Sequence, residues 1–474
     1  MIRRHHYSLA ILLLATACAP HIDPPAPLPA PPADWSVSQD RSQEPVVMDW
    51  WTQLQDPQLD ALVAKALAHN AELRAATANL RAAQALVQEA RAAKLPIGTV
   101  DGSFQRSRTA GATLQLDSFG GPAVLPSQTV ADIGTSLAWE LDLFGRLQGL
   151  SDQARAEAGR ALWAKRGVEA SVAAAVVRAW ADLASADRQL ALLDRREPLL
   201  RDLVNRIEQA HRLGGVRRDG VEDARAQLSA LLTTRPTVEA GRRNALRRLA
   251  TLTGTAAPEG VTTLASLKPD ALTIPAYVRA GDPSQILRMR PDVAAAELAL
   301  AKAMAQVDVS RADLYPRISI GGSLGLSAPP DRLDEKGALR FGIGPSFSWA
   351  IFDMDRVRSR IRAAGAQAQA AGATWEDVFL KALEETDAAL DGFAASRQKM
   401  KNMLDIAQAK EQTAKLSSAR LAAGQDSILQ ATQAQELALG AQSDAESARN
   451  TALSSWISAQ IALGAGWRME EPQK

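Results

Sequence analysis

The chain contains an internal duplication, which emerges when the sequence is aligned with itself at a shift of 220 positions. The residues that coincide are Ala75, Ala76, Leu80, Ala83, Val87, Arg91, Ala92 and Pro96 in the first copy, and Ala295, Ala296, Leu300, Ala303, Val307, Arg311, Ala312 and Pro316 in the second. Further along, Trp139 and Arg146 match Trp349 and Arg356 at a shift of 210. The fold must therefore be assembled from two similar halves.

Each copy carries two short segments in which apolar residues alternate with glycine, serine or charged residues. The clearest segment places Phe341, Ile343, Pro345, Phe347, Trp349 and Ile351 on one face and Gly342, Gly344, Ser346, Ser348 and Ala350 on the other. A period of two is the signature of a strand with one apolar face. It predicts strands over about 97–108 and 129–144 in the first copy, and about 317–327 and 340–352 in the second.

Strands of about ten residues with one apolar face are typical of segments that cross a bilayer between lipid and a wet lumen. A soluble sheet with one buried face is the alternative. In a membrane the open edges of four strands would cost several kcal/mol for each unpaired backbone group, so several chains must join to close a barrel. The smallest barrels have about eight strands and would need two chains, whereas three chains would give about twelve strands, and we favour three. Trp139 and Trp349 then suit the aromatic girdle at a membrane interface, with core tryptophans as the alternative.

Most of the remaining chain shows apolar residues at helical spacing, with alanine at many of the apolar positions. The predicted helices are 57–94, 147–213, 216–252, 291–314, 357–422 and 427–463. Gly214, Gly215 and Gly424 supply the turns between antiparallel neighbours, and Pro198 should kink or break the second helix. A helix of about 65 residues would be about 100 Å long, which requires a rod or a tube. A soluble coiled-coil rod fits the helices alone almost as well.

The first residues are typical of an exported lipoprotein. Residues 1–17 combine a basic start, an apolar stretch too short to span a bilayer and small residues, as a signal peptide does. Cys18 resembles the acylated residue of a bacterial lipobox, although Ala15 stands where leucine is usual. Ala19, rather than aspartate, follows Cys18, which resembles the pattern of bacterial lipoproteins that are transferred to the outer membrane by default. Residues 18–49 are rich in proline and predict an extended tether, with the fold beginning near Trp50.

Bulk composition and motifs exclude several functional classes. The formal net charge is +1, which gives no reason to expect a nucleic-acid partner. The sequence has a single cysteine, no phosphate-binding loop and no His-Glu-x-x-His motif, and beyond the signal and tether its histidines are His69 and His211 alone. We therefore expect no catalytic residues, no metal site, no enzyme activity and no cofactor besides the covalent lipid on Cys18.

Several short motifs, repeated in order, resemble those of the outer membrane factors. They are Trp50-Trp51, Asp56-Pro57, Leu95-Pro96, Trp139-Glu140-Leu141-Asp142-Leu143-Phe144-Gly145-Arg146, Arg290-Pro291-Asp292, Leu314-Tyr315-Pro316 and Trp349-Ala350-Ile351-Phe352-Asp353. The chain is similar to the TolC-like channels, in particular to the lipoprotein or NodT-type branch that serves resistance-nodulation-division (RND) efflux pumps.

The resemblance implies a mainly α-helical, duplicated protomer that contributes four strands to a twelve-stranded trimeric outer-membrane β-barrel. It implies repeats at 50–254 and 291–466, an equatorial linker at 255–290 and a tail at 467–474. It also implies a homotrimer in outer-membrane lipid, with a helical tunnel in the periplasm that docks a periplasmic adaptor (membrane fusion) protein and an inner-membrane RND-type pump. The expected function is passive export of small molecules. The alternatives are a type I secretion channel and a periplasmic coiled-coil adaptor or structural lipoprotein.

In such channels the turns between long helices form the closed periplasmic tip. The resemblance makes Asp426, Ser427, Arg217, Arg218 and Asp219 the candidate gate residues, with Arg217 and Arg218 pairing with Asp426 from the neighbouring turn. Val216 stands opposite Gly424 and departs from the usual pattern. Helix capping and a solvated turn are the structural alternative for all of these residues.

We predict that Asp426→Ala raises ion leak through the closed channel, because the variant loses the attraction to Arg217 and Arg218 that would help to hold the turns together. Single-channel conductance in a planar bilayer measures the leak. A conductance identical to that of the wild type would remove Asp426 from the gate.

Overall fold

The computed structural model describes residues 24, 26–37, 39–107, 113–114, 123–124, 127–267, 269, 272–284 and 289–467. The signal peptide, Cys18 and all of the predicted tail except Trp467 lie outside these residues. The chain forms two compact units. The first contains residues 81–160 and 297–374, and the second contains 27–80, 161–296 and 375–474. Each unit takes parts from both copies of the duplication.

The helices confirm the predicted, mainly α-helical and duplicated protomer. They are α1 (Pro57–His69), α2 (Ala71–Ala92), α3 (Arg146–Arg212), α4 (Arg218–Leu252), α5 (Ala257–Leu264), α6 (Pro291–Ala312), α7 (Met354–Ala422) and α8 (Ile428–Ala462). Short 3-10 helices occupy Trp50–Leu54, Pro330–Arg332, Lys336–Ala338 and Ile351–Asp353. The two longest, α3 with 67 residues and α7 with 69, match the predicted runs.

The four predicted strands form one antiparallel sheet in the first unit. They are β1 (Ile97–Ser107), β2 (Gln128–Leu141), β3 (Arg317–Ala328) and β4 (Leu339–Ser348), and their order in the sheet is β1-β2-β3-β4. The strands β2 and β4 end at Leu141 and Ser348, a few residues before the predicted ends at about 144 and 352. The carboxylate of Asp142 accepts hydrogen bonds from the N–H groups of Leu147 and Gln148, so this residue caps α3 instead of extending β2.

The loop between β1 and β2 also contains regular structure. Thr113–Leu114 pairs antiparallel with Ala123–Val124. Each of these strands is two residues long.

Two of the predicted helices differ from the observed ones in continuity. The segment 57–94 is split at Asn70, whose Oδ1 accepts hydrogen bonds from Glu72 N at 2.9 Å and Leu73 N at 3.1 Å and so caps α2. In contrast, α3 continues through Pro198 as one helix, so the predicted break is absent, while the alternative of a kink stays a prediction. Proline removes one backbone hydrogen bond, whereas the buried Leu200 and Leu203 that follow it pack in a hydrophobic cluster.

The second unit has a core in which the few tryptophans of the chain meet many alanines. Trp50, Trp180 and Trp456 are fully buried. Trp50 packs edge-to-face against Trp456 with ring centroids 5.4 Å apart. Trp180 Nε1 donates to Asp56 Oδ2 at 2.7 Å, and the same carboxylate caps α1. Alanines such as Ala173 on α3 fill the remaining space because they let helices approach closely.

Ordered structure begins earlier than the predicted start near Trp50. Arg41–Ser42 pairs in parallel with Val278–Arg279, and Ser36 N donates to Asp387 Oδ1 at 2.9 Å. Trp35 is buried in the core of the second unit. The latter half of the proline-rich segment is therefore docked by contacts with residues that are far away in the sequence.

No helix in the described ranges is both long enough and apolar enough to cross a membrane.

The sheet leads to a prediction about Gly325, which lies directly opposite Gly134. A Cβ atom at Gly325 would lie 2.7 Å from Ile133 O and 2.8 Å from Gly134 Cα, so the strands would have to shift. We expect Gly325→Ala to destabilise the sheet by about 1–3 kcal/mol, the usual cost of overpacking.

The measurement is the temperature at which the folded form disappears on a heat-modifiability gel. Gly344→Ala is the matched control, because a Cβ there meets nothing within 4 Å. Equal midpoints for the two variants would contradict this account of the glycine pair.

Candidate functional site

The register of the sheet gathers the apolar residues of all four strands on one face. Val100, Thr135, Leu324 and Phe341 lie opposite one another across the strands. By the same register, this face also holds Phe104, Ile133, Leu137, Trp139, Ile318, Ile320, Ile343 and Phe347. Much of it is uncovered, since Val100 and Ile343 are each 80% exposed. A continuous apolar surface of this kind marks contact with lipid or with a partner.

The opposite face is lined by small and polar side chains and carries an ion pair. Arg340 on β4 reaches Asp132 on β2 at 2.5 Å. β3 lies between these strands, and the residue opposite Arg340 on β3 is Gly325, which has no side chain to obstruct the pair. Thr99 and Ser136 share a hydrogen bond of 2.7 Å on the same face. This face suits water and solutes of either charge.

The two outer strands of the sheet have unpaired edges. In the described part of the chain β1 pairs only with β2, and β4 pairs only with β3. Each outer strand therefore presents a row of N–H and C=O groups without strand partners. In an apolar surrounding such groups must be paired by further strands.

Trp139 and Trp349 make equivalent hydrogen bonds in the two copies. Trp139 Nε1 donates to Lys94 O at 2.9 Å, and Trp349 Nε1 donates to Leu314 O at 3.0 Å. The two acceptors are themselves 220 positions apart, the shift of the duplication. Both rings are half-buried, so neither is a core tryptophan. Their place at a membrane interface stays a prediction.

The turns between the long helices hold the candidate gate residues. Gly214 and Gly424 adopt φ of +77° and +73°, the left-handed conformation that ends α3 and α7. Asp426 Oδ2 accepts a hydrogen bond from Ser417 Oγ at 2.8 Å. Ser427 caps α8, with Gln430 N donating to its Oγ at 3.2 Å. Ser417, in the last turns of α7, was not identified from the sequence. Its place in the sequence nine residues before Asp426 could have indicated that the two side chains meet.

The basic residues of the first turn pair within their own hairpin. Arg217 lies 3.4 Å from Asp219, and Arg218 lies 4.0 Å from Glu222. The arginine side chains are 90% and 85% exposed, so these pairs contribute little to stability. In the described part of the chain neither arginine pairs with Asp426, and the pairing expected from the neighbouring turn stays a prediction.

Arg290 lies at the centre of a buried network in the second unit. Its guanidinium donates to Asp292 and Glu385, each at 2.7 Å, and to Ala462 O at 2.8 Å. Burial opposes the charge of both Arg290 and Asp292. Burial is the largest single effect, but the hydrogen bonds and opposite charges around each group together outweigh it, so the pKa of Arg290 is raised and the pKa of Asp292 is lowered. The network ties the start of α6 to α7 and to the end of α8.

Among the described residues, no three histidine, cysteine, aspartate or glutamate side chains are placed to hold a metal ion. His211 is used locally, since its Nδ1 lies 2.8 Å from Val216 O. The described residues therefore offer a sheet with one apolar and one polar face, and long helices joined by turns.

Comparison with known proteins identifies relatives over nearly the whole chain. The sequence profile of the outer membrane efflux protein family matches residues 62–255 and 283–465. Nodulation protein T of Rhizobium leguminosarum bv. trifolii is 26% identical, over 97% of this chain and 96% of that protein. The antibiotic efflux pump outer membrane protein ArpC of Pseudomonas putida is 28% identical, over 95% of this chain and 91% of that protein.

Among solved structures, the outer-membrane channel OprN superimposes with a TM-score of 0.80 at 29% sequence identity. The superposition covers 95% of this chain and 99% of that channel. The observed combination of long helices and a four-stranded sheet is therefore shared with an outer-membrane channel.

The Arg290 network predicts an acid-dependent stability. Because the pKa of folded Asp292 lies below its ordinary value of 3.8, the stability that this carboxylate contributes is present above that value and is lost as the pH falls through the lowered one. We expect Asp292→Asn to lower the melting temperature at neutral pH, and the difference from the wild type to vanish in strong acid.

Thermal melts of the purified protein at both pH values measure this difference. Asp377→Asn is the control, since its carboxylate forms only an exposed pair with Lys381 at 2.8 Å. A difference for Asp292→Asn that does not change with pH would refute the electrostatic explanation.

Proposed function

The chain belongs to the outer membrane efflux protein family, and from this membership we propose that it is the outer-membrane channel of a tripartite efflux system. It would act as a passive conduit that carries small molecules, such as drugs or toxic compounds, to the cell exterior. The names of its relatives support this proposal, because ArpC is described as part of an antibiotic efflux pump and OprN as an outer-membrane channel. A passive conduit needs no catalytic residues.

The observation that carries the proposal is the sheet, with an exposed apolar face, a polar face and two open edges. The apolar face fits lipid, and the polar face fits a water-filled lumen. The edges would be satisfied if β4 of one chain paired with β1 of the next. Three chains with four strands each make a closed barrel of twelve strands, so we propose a homotrimer.

The helical hairpins are the proposed docking end of the channel. The turns around Gly214 and Gly424 would form the periplasmic tip, with Asp426, Arg217 and Arg218 as gate residues. A periplasmic adaptor protein and an inner-membrane RND-type pump would engage this tip. Acylation of Cys18 would add a second attachment to the outer membrane, through the segment that docks at Trp35.

The two alternative functions are less well supported. A periplasmic coiled-coil adaptor or structural lipoprotein would not require a sheet with a large uncovered apolar face. A type I secretion channel would use the same conduit with other partners, but ArpC, which is similar over most of its length, is named as an efflux component. Efflux of small molecules is therefore the function that we favour.

Conductance and susceptibility together test the proposal. We expect the purified protein to form discrete channels in planar bilayers, and deletion of its gene to raise susceptibility to toxic compounds in a way that the intact gene reverses. A protein that remains monomeric and never conducts would disprove the channel function.

A matched pair of variants on β4 tests which face meets lipid. Ile343→Arg places a charge on the apolar face, where it should cost about 2–4 kcal/mol near the bilayer midplane and block assembly. Gly344→Arg places the same charge at the same depth on the polar face and should assemble normally. Equal assembly of the two variants would contradict the assignment of the faces.

A further inference from the structure

The first turns of α7 carry four arginines in alternate positions: Arg356, Arg358, Arg360 and Arg362. We call them the rim cluster. Arg356, Arg360 and Arg362 are exposed, and Arg358 is half-exposed. Residues four apart on a helix are neighbours, so Arg358 lies beside Arg362 and Arg356 lies beside Arg360.

In the described part of the chain, the arginines of the rim cluster form few and exposed hydrogen bonds and ion pairs. Arg356 pairs with Asp353, and Arg358 lies 3.3 Å from Asp355. In each pair the two residues are three positions apart on an exposed surface, where ion pairs contribute little to stability. Arg362 donates to Ser359 Oγ at 3.1 Å.

Arg360 has no hydrogen-bonding or ionic partner among the described residues. Among the described residues, Asp353 and Asp355 are the carboxylates that pair with the rim cluster, so its four arginines keep a positive charge that can bind an anion.

The duplication provides an internal control for these positions. At the shift of 210, Arg356 corresponds to Arg146, which is held by Glu140 at 2.7 Å. The positions of Arg358, Arg360 and Arg362 correspond to Gln148, Leu150 and Asp152 in the first copy. The equivalent helix of the first copy therefore forms without arginines at these three positions.

The rim cluster lies next to exposed apolar residues. Phe347 on β4 is 77% exposed, and Phe352, which precedes α7, is fully exposed. Aromatic side chains followed by arginines are typical of a segment that meets the boundary between acyl chains and headgroups. Long arginine side chains can lie along apolar surface while their charged ends reach the headgroups.

We propose that the rim cluster binds the phosphates of anionic glycerophospholipids, such as phosphatidylglycerol, in the periplasmic leaflet of the outer membrane. The inference rests on the proposed channel function, which places the end of β4 at that leaflet. Guanidinium groups bind phosphate through paired hydrogen bonds, and basic clusters beside a membrane span attract anionic lipids. In a trimer the cluster recurs three times around the rim.

The test compares the full-length protein with the triple variant Arg358→Gln/Arg360→Gln/Arg362→Gln in vesicles of phosphatidylcholine with or without phosphatidylglycerol. Lipid retained by the extracted protein is counted by native mass spectrometry. We expect the wild type to retain phosphatidylglycerol preferentially. The triple variant should lose this preference by about a hundredfold, because each arginine contributes about fivefold.

Two further variants separate charge from folding. Lys399→Gln/Lys401→Gln/Lys410→Gln removes three exposed charges further along the same helix and should retain phosphatidylglycerol as the wild type does. Arg358→Lys/Arg360→Lys/Arg362→Lys keeps the charge and should preserve most of the preference. If inorganic phosphate competes with the lipid at similar concentration, the site is a free-phosphate site and the lipid proposal is wrong.

Retention of phosphatidylglycerol by the triple glutamine variant at the wild-type level would also overturn the proposal. Conductance recorded from the same vesicles separates a failure of the lipid-binding proposal from a failure of the proposed channel function. Channels without lipid preference refute the rim cluster alone, whereas a wild type that neither inserts nor conducts refutes the channel function and the rim cluster together.

Discussion

The hydrogen-bonding capacity of the two open sheet edges is the constraint on which the rest of the molecule depends. A large apolar side chain such as Phe341 or Ile343 gains about 1.5–3 kcal/mol when it leaves water, and many of them stand uncovered on one face of the sheet. Lipid can cover that face, but lipid offers no partner to the backbone groups of β1 and β4. Only further strands can, so the chemistry of the face forces the assembly of several chains.

The helices follow from the same duplication that supplies the strands. In each copy a tryptophan at the end of the second strand donates to the carbonyl oxygen that follows the preceding helix, at Lys94 and at Leu314. We call each of these hydrogen-bonded contacts between a strand end and a helix end a joint. The two joints are equivalent, whereas the residues at the start of the helix that follows each of them differ. Arg146 is held by Glu140, but the positions that follow Arg356 have acquired exposed arginines. Duplication thus preserved the joint and left its outer surface free to diverge.

Local patterns predicted the strands and helices well because period-two alternation, helical spacing and turn glycines act over a few residues. Several of the failures involve distant partners. Asn70 splits a helix while its Nδ2 donates to Leu252 O, 182 positions away, and Trp35 is buried in a core that includes Val278. The pair of Arg340 and Asp132 depends on a register that no single strand specifies. For the candidate gate, the turns were predictable, but the hydrogen bond from Ser417 to Asp426 required the structure.

The distribution of weak and strong contacts also indicates where such a conduit can change shape. Adjacent strands of the sheet are joined along their length by backbone hydrogen bonds, and opening them in an apolar surrounding would leave those groups unpaired. The helical turns are held differently, by exposed pairs such as Arg217 with Asp219 and Arg218 with Glu222. Such pairs can be exchanged for water or for a partner's charges at little cost. Exchanging the contacts at the turns therefore costs less than separating adjacent strands of the sheet.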